Sequence, residues 1–158
     1  MKYLITGGAG FIGSHIARYL VNTGHDVVIL DDLSSGSLEN ILHLTGNARA
    51  RFIQGSITDP VILRSNCDEI DGIFHEAAVA SVALSISDPR ATNEVNVTGT
   101  LNVLIAARDA GVKKVVFASS AAIYGDSPAL PKTETLPPCP KSPYAVSKLT
   151  GEEYMRVF

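Results

Sequence analysis

The sequence is poor in the residues that mark several large classes of protein. Its 158 residues contain no tryptophan and two cysteines, charged residues make up only 18%, and the net charge is -3. The cysteines, Cys67 and Cys139, lie too far apart for a metal or redox motif, so we predict no metal site and reduced thiols. No basic run indicates a nucleic-acid surface. The chain has neither a membrane-spanning apolar run nor a signal-peptide pattern, which favours a cytoplasmic protein without a membrane partner.

What the sequence does contain is a regular alternation of short apolar runs and helical patterns. Strands are predicted at residues 2–6, 26–31, 51–54, 72–75 and 113–118. Helices are predicted at residues 11–23, 38–44, 61–65, 89–110 and 143–158. Strands that alternate with helices predict an α/β fold with a doubly wound parallel sheet. Five prolines between residues 125 and 140 predict an irregular connection, and its length indicates a functional loop.

The last predicted helix reaches Phe158 without a stop signal. We therefore expect residues 1–158 to form one domain whose architecture is incomplete at the C-terminus.

Glycines follow the first predicted strand and lead into the first helix, and three of them are regularly spaced. Gly7, Gly10 and Gly13 have the spacing G-x-x-G-x-x-G, which alone could be an ordinary tight turn. Between a strand and a helix, such glycines allow the backbone to approach a diphosphate, and the helix N-terminus supplies free N–H groups for the anion. The next strand ends in Asp31-Asp32, at about the interval where an acid binds the adenosine ribose. No arginine stands beside this pair, so the pattern predicts a dinucleotide site for NAD rather than NADP.

A tyrosine and a lysine lie four residues apart near the end of the chain. On a helix, Tyr144 and Lys148 share one face. A free tyrosine titrates near ~10, too high for a base at neutral pH, but a neighbouring ammonium favours the phenolate. The pair could therefore act as a general base, although a surface tyrosine–lysine pair is the simpler interpretation. Ser120 follows the fifth strand, at the sheet edge where ligands bind, and is a catalytic hydroxyl or an ordinary turn serine.

His75, at the end of the fourth strand, could be mistaken for a catalytic base. A histidine in this place is more often held by hydrogen bonds within the core, and we predict this. The role of the neighbouring Glu76 stays open.

Taken together, these motifs resemble the extended short-chain dehydrogenases/reductases, the NAD-dependent epimerase/dehydratase family, and within it the UDP-glucose 4-epimerases. The segments that carry the resemblance are Gly7–Gly13, Asp31, Asn96–Thr100, Ser119–Gly125 and Tyr144-x-x-x-Lys148. The resemblance covers the N-terminal part of a family member. It implies a Rossmann-like fold, NAD as cofactor and a C-terminal substrate-binding lobe that residues 1–158 do not contain.

The resemblance also implies roles for individual residues. Backbone amides of the glycine segment would bind the diphosphate, Asp31 the adenosine ribose, and Lys148 the nicotinamide ribose. Asn96 would steady the strand ends from its helix. Ser56 stands where the family usually has an aspartate that meets the adenine, so this contact would use the Ser56 hydroxyl and the Ile57 amide. The residues assigned to the cofactor are Gly7, Gly10, Phe11, Ile12, Gly13, Asp31, Asp32, Ser35, Gly36, Ser56, Ile57, Ala77, Ala78, Asn96, Tyr144 and Lys148.

For activity, the resemblance implies 4-epimerisation of a UDP-sugar through a transient 4-keto sugar. Tyr144, assisted by Ser120, would take the proton from the 4-hydroxyl as hydride passes to NAD. Dehydratases and decarboxylases of the family tend to carry acids where this chain has Ala121 and Ala122, which favours epimerisation over those alternatives. A further alternative is a dinucleotide-binding module without catalysis. The resemblance also implies a homodimer formed by the helices near 89–110 and 141–158.

Overall fold

A single parallel sheet organises the protein. The computed structural model describes residues 1–158. Its strands are β1 (Lys2–Thr6), β2 (Asp26–Asp31), β3 (Ala50–Gln54), β4 (Gly72–His75) and β5 (Lys114–Phe117). All neighbouring strands pair in parallel, in the order β3-β2-β1-β4-β5. This order confirms the predicted doubly wound sheet. After β3 the chain crosses to the other side of β1, so the strand order reverses between the neighbouring strands β1 and β4.

Helices and short helical turns connect the strands. The α-helices are α1 (Phe11–Asn22), α2 (Pro60–Asn66), α3 (Val82–Ser87), α4 (Pro89–Asn93), α5 (Thr100–Asp109) and α6 (Pro143–Val157). Residues Leu38–Leu44 and Ala121–Tyr124 form 3-10 helices, and Glu94–Gly99 form a π-helix. No helix combines the length and apolar character needed to cross a lipid bilayer.

The predicted helix over residues 89–110 is confirmed in its outer bounds, since α4 begins at Pro89 and α5 ends at Asp109, but its interior is not regular α-helix. The Asp88 side chain accepts a hydrogen bond from the Ala91 N–H (3.0 Å) and starts α4. The π-helix then interrupts the regular ladder before α5. The sequence pattern also missed α3, whose start is fixed by Ser81 accepting from the Leu84 N–H (3.2 Å). Side-chain caps, rather than apolar periodicity, set the starts of α3 and α4.

Each face of the sheet has its own apolar core. Leu4 and Ile5 are fully buried neighbours on β1 that point to opposite faces, as the two-residue period of a strand requires. Leu4 packs with Leu63 of α2 and Val103 of α5, whereas Ile5 packs with Ala17 of α1. Burying each large aliphatic side chain contributes about 1.5–3 kcal/mol. The two cores hold the sheet between layers of helices and bring the carboxyl ends of the strands to one edge.

Candidate active site

A cavity of about 610 Å³ runs along the carboxyl edge of the sheet. A residue just beyond every strand lines it: Gly7, Asp32, Gly55, Glu76 and Ala118. In doubly wound folds, ligands bind at this edge, close to the point where the strand order reverses. The fold therefore places the cavity where the sequence predicted a dinucleotide site.

The glycine loop, residues 7–13, has no space for side chains at two of its three predicted glycines. Gly7 has φ +66°, and a Cβ there would lie 2.6 Å from the backbone nitrogen of Ala77. A Cβ on Gly13 would lie 2.3 Å from the Gly7 carbonyl oxygen. Contacts under 3 Å of this kind would displace backbone atoms. These glycines allow the loop to fold against the segment after β4 and against the start of α1.

Helix α1 begins at the cavity with an open N-terminus. Its N-cap, Gly10, offers no side-chain acceptor, and neither Phe11 nor Ile12 carries a carboxylate. The first-turn N–H groups of an α-helix have no intrahelical acceptor, and the helix dipole favours an anion beside them. Phe11 and Ile12 both line the cavity. This end of α1 therefore suits a phosphate or diphosphate.

The Asp31 carboxylate lies at the same end of the cavity as the glycine loop. Asp31 is 8% exposed; its Oδ2 accepts a hydrogen bond from the Ala9 N–H (2.9 Å), and its Oδ1 accepts from the Leu33 N–H (2.8 Å). A carboxylate has about four acceptor positions, so both oxygens can still accept ligand hydroxyls. Gly36 packs against it, since a Cβ there would lie 2.8 Å from Asp31 Oδ1. The carboxylate is thus held in place while capacity remains for a diol.

Ala9 connects the glycine loop to the segment after β2. Its carbonyl oxygen accepts hydrogen bonds from the Ser37 N–H (3.1 Å) and from Asn40 Nδ2 (2.8 Å). The sequence analysis missed Asn40, because a single amide in a short helical turn carries no motif. Its position three residues after the Ser37 cap was the available signal.

Ser56 lines the cavity with a hydroxyl that can still donate. Its Oγ accepts from the Thr58 N–H (3.3 Å) and from Thr58 Oγ1 (3.0 Å), which leaves its own hydrogen free. The neighbouring Ile57 is buried and packs against Gly99, where a Cβ would lie 2.6 Å from Ile57 Cδ1. Close packing against the π-helix holds this part of the lining.

Lys148 is almost completely buried yet reaches the cavity. It is 4% exposed, and its Nζ donates to the Ala118 carbonyl oxygen (2.7 Å). The ammonium lies 4.8 Å from the centroid of the Phe117 ring and 6.0 Å from that of Tyr144. Burial lowers the pKa of Lys148 to about 8, although the charge of Glu76 opposes this effect. Both Tyr144 and Lys148 line the cavity, so the predicted pair is not a surface pair.

Glu76 is the acid that faces this buried ammonium. It lines the cavity between the glycine loop and Lys148, and burial raises the pKa of its carboxyl while Lys148 acts in the opposite direction. The two side chains form no ion pair within 4 Å. The interaction is therefore a longer-range attraction across the cavity wall.

Close packing of α6 against β5 brings Lys148 to this position. A Cβ on Gly151 would lie 2.4 Å from Cζ of Phe117, so only glycine permits the observed approach. Phe117 lies in turn 5.6 Å from His75, measured between ring centroids.

The two serines after β5 point to different surroundings. Ser119 lines the cavity and its hydroxyl donates to Oε1 of Glu152 on α6. The Ser120 Oγ accepts from the Ala122 N–H (3.1 Å), so it caps the short 3-10 helix, and Ser120 does not line the cavity. Its own hydrogen remains available to donate.

Asn96 holds two parts of the site together from outside the cavity. Its Oδ1 accepts from the Val79 N–H (2.8 Å), and its Nδ2 donates to the Val79 carbonyl (3.1 Å) and to Ser147 Oγ (3.0 Å). The Ser147 hydroxyl donates to the Tyr144 carbonyl (2.7 Å). Asn96 thus joins the segment after β4 to the helix that carries Tyr144. Sequence reasoning missed Ser147.

The cavity gathers most of the residues that the sequence singled out. The predicted residues that line it are Gly7, Gly10, Phe11, Ile12, Gly13, Asp31, Asp32, Ser35, Ser56, Ile57, Ala77, Ala78, Tyr144 and Lys148. Gly36, Asn96 and Ser120 are next to the lining but not in it. The prediction for His75 is confirmed, because it is 1% exposed with both ring nitrogens hydrogen-bonded.

Known proteins resemble this chain over its whole length. The profile of the NAD dependent epimerase/dehydratase family matches residues 3–158. UDP-glucose 4-epimerase from Mycolicibacterium smegmatis is 43% identical over 160 residues, which cover 100% of this chain and 51% of the relative. The crystal structure of Thermus thermophilus UDP-glucose 4-epimerase in complex with NAD gives a TM-score of 0.91 at 43% identity, covering 99% of this chain and 50% of that one.

The similarity extends to a protein with another activity. The structure of a dTDP-glucose 4,6-dehydratase from Streptomyces venezuelae, with NAD bound, gives a TM-score of 0.94 at 38% identity, with 99% of this chain and 51% of that one covered. The chain thus spans about half the length of the relatives it matches. The family match and the shared fold together identify it: this chain belongs to the NAD-dependent epimerase/dehydratase family.

Proposed function

We propose that residues 1–158 are the NAD-binding, catalytic half of a nucleotide-sugar 4-epimerase of the UDP-glucose/UDP-galactose type. The observation that carries the proposal is that one cavity is lined both by the glycine loop and by Tyr144 and Lys148. A further C-terminal lobe would bind the sugar nucleotide. The length of the relatives supports this, since the chain covers about half of each.

The residues at the glycine-loop end fit NAD. The open N-terminus of α1 suits the diphosphate, and the Asp31 carboxylate suits the 2′- and 3′-hydroxyls of the adenosine ribose. Lys148 is the only lysine or arginine in the lining, and Asp31 and Asp32 would repel a 2′-phosphate. We therefore propose NAD rather than NADP. Ser56 and Ile57 would face the adenine, and Ala77 and Ala78 leave room for the cofactor beside the glycine loop.

At the other end, Tyr144 is proposed as the general base. NAD, when bound, supplies the hydride acceptor and later the hydride donor. The Tyr144 oxygen would take the proton from the sugar 4-hydroxyl as C4 is oxidised, and return it to the same oxygen after the sugar has turned over. The buried Lys148 ammonium favours the phenolate by its charge and would hold the nicotinamide ribose with its remaining N–H groups.

Ser120 is proposed to assist Tyr144 through its free hydroxyl hydrogen. Ala121 and Ala122 cannot transfer a proton, and neither lines the cavity. This favours epimerisation over the elimination that the related dehydratase catalyses. With UDP-glucose as substrate, we expect UDP-galactose and no 4-keto-6-deoxy product. A 4-keto-6-deoxy product would overturn this choice in favour of a dehydratase.

A binding module without catalysis is the competing function. A module needs the glycine loop, but it has no use for a tyrosine and a buried lysine that line the same cavity. The decisive test compares NAD and NADP binding by equilibrium dialysis, and then UDP-galactose turnover, in the 158-residue chain and in any longer natural form. NAD binding with turnover in the longer form supports the proposal. NAD binding without turnover in every form would favour the module, and no NAD binding would overturn both.

We also propose a homodimer through the helices near 89–110 and 141–158. Val146 and Phe158, in the second of these segments, are 50% and 49% exposed, and covering such apolar surface would favour association. Sedimentation of the wild type and of Val146→Glu tests this, with a dimer expected only for the wild type. The cytoplasmic location stays a prediction of the sequence.

A further inference from the structure

His75 is a buried imidazole that the proposed chemistry does not use. It ends β4 and is 1% exposed. Its Nδ1 lies 2.6 Å from Thr6 Oγ1 at the end of β1, and its Nε2 lies 2.9 Å from Thr100 Oγ1 at the start of α5. Both ring nitrogens therefore have a hydroxyl partner, and each partner belongs to a different element.

The second bond of the Thr100 hydroxyl fixes the direction of one of these contacts. Thr100 Oγ1 lies 2.7 Å from the Asn96 carbonyl oxygen. A carbonyl can only accept, so the single hydroxyl hydrogen of Thr100 points to Asn96. Thr100 Oγ1 must then accept from His75, which requires a hydrogen on Nε2.

Whether the opposite nitrogen, Nδ1, carries a hydrogen follows from the same count of donors and acceptors. Burial, together with the charge of Lys148, lowers the pKa of His75 to about 3, so the ring is neutral at physiological pH. A neutral ring with its hydrogen on Nε2 has an acceptor at Nδ1, and the Thr6 hydroxyl donates to it. Thr6 Oγ1 in turn accepts from the Ala77 N–H at 3.4 Å. The chain of bonds runs without conflict from Ala77 to Asn96.

The two ends of this chain are the two parts of the candidate active site. Ala77 lines the cavity and contacts Gly7, the first residue of the glycine loop. Asn96 binds Ser147 of α6, which carries Tyr144 and Lys148. His75 is therefore the junction between the cofactor loops and the helix with the reactive side chains.

We propose that His75 is a positioning residue, held as the neutral tautomer with its hydrogen on Nε2, whose directed hydrogen bonds fix the glycine loop and the β4 segment relative to α6. The assignment of the tautomer rests on the hydrogen-bond geometry, and the neutral state of the ring on its burial. The consequence for ligand binding rests on the proposed function, because it takes NAD as the ligand of the cavity.

The tautomer is tested directly by long-range ¹⁵N–¹H correlation of the imidazoles in the labelled protein. His75 is assigned by its disappearance in His75→Asn. We expect the Nε2–H pattern at pH 7 and no protonation of this ring at pH 5, where an ordinary histidine is mostly charged. The pattern of an Nδ1–H tautomer, or of an imidazolium at pH 5, would overturn the proposal.

Matched variants at Thr100 test the positioning role. Thr100→Ser keeps the hydroxyl, whereas Thr100→Val keeps the shape and removes it. We expect Thr100→Val to lose the wild-type imidazole spectrum and to weaken NAD binding by about tenfold, and Thr100→Ser to retain both within about twofold. Equal losses in both variants, or an unchanged His75 spectrum in Thr100→Val, would reduce His75 to core packing.

Failure of the proposed function would look different. If the wild type does not bind NAD but shows the Nε2–H tautomer, the NAD site is wrong while the hydrogen-bond assignment stands. If Thr100→Val does not fold, the imidazole spectra of the wild type and of Thr100→Ser still decide the tautomer.

Discussion

At the glycine-loop end of the cavity the protein presents backbone groups and one carboxylate, that of Asp31, whereas at the tyrosine end it presents side chains. The glycine-loop end is formed by residues 7–13 and Asp31, which are close in sequence and joined directly through Ala9. The tyrosine end is formed by Tyr144, Lys148 and Ser119, and its supports, Asn96 and Ser147, come from separate segments. One end is fixed by local geometry, and the other depends on long-range packing. Substitutions at the two ends should therefore fail in different ways.

The largest effect is expected at the tyrosine end. Tyr144→Phe removes the proposed base, and loss of a general base reduces turnover by about 10²–10⁴-fold. NAD binding should persist, since the ring and its packing remain. UDP-galactose turnover in the longest natural form, with the bound nucleotide measured after denaturation, separates the two quantities. Loss of the nucleotide together with activity would show that the two ends are not independent.

At the glycine-loop end, a single methyl group should remove binding. Gly7→Ala adds a Cβ 2.6 Å from the Ala77 nitrogen at φ +66°, so we expect a loss of about 3 kcal/mol in the free energy of unfolding and a large loss of NAD affinity. Gly46→Ala is the matched control, because Gly46 has φ +80° and nothing within 4 Å of its Cβ position. It should lose about 1–2 kcal/mol from the backbone alone and keep NAD. Similar results for both variants would contradict a role for the close contact.

The buried ammonium predicts a pH dependence of stability. Lys148 has a pKa of about 8 in the folded protein against an ordinary 10.5. Below pH 8 the buried charge lowers stability, and between these values the unfolded chain binds the extra proton, so stability rises with pH. Lys148→Met should lack this rise, and the difference between the two proteins should change by about 3 kcal/mol across that window.

Denaturant titrations of both proteins from pH 7 to 11 measure this difference, in which titrations common to both cancel. The titratable groups that face Lys148 are Glu76, His75 and Tyr144. Parallel curves for the two proteins would mean that the ammonium is well solvated.

The last prediction concerns the reactivity of the two cysteines, of which Cys67 lies in the core and Cys139 in an exposed loop. Burial, with a contribution from Asp68, raises the pKa of Cys67 to about 11. Cys139 is exposed in the loop before α6. At pH 8 we expect a thiol reagent to label Cys139 at least about 100-fold faster than Cys67 in the native protein, and both equally after unfolding. Fast labelling of both in the native state would show that the core beside α2 opens readily.

The glycine-loop end could be predicted from the sequence because each of its features is local. Apolar runs located the strands, and Gly7, Gly13 and Asp31 are specified within a few residues of strand ends. The orientation of Ser120 could not be predicted, because its hydroxyl serves as a cap for the turn that follows. The junction at His75 also could not, since it needs residues 6, 75 and 100 to meet in three dimensions.

The absence of a side chain at Gly151 determines where the Lys148 ammonium can lie. Because Gly151 has only a hydrogen atom facing Phe117, α6 packs close to β5. At this separation the Lys148 side chain is long enough for its Nζ to donate to the Ala118 carbonyl oxygen. A methyl group would raise the helix and shorten that reach. The clearance between one helix and one aromatic ring thus sets how far the Lys148 ammonium extends.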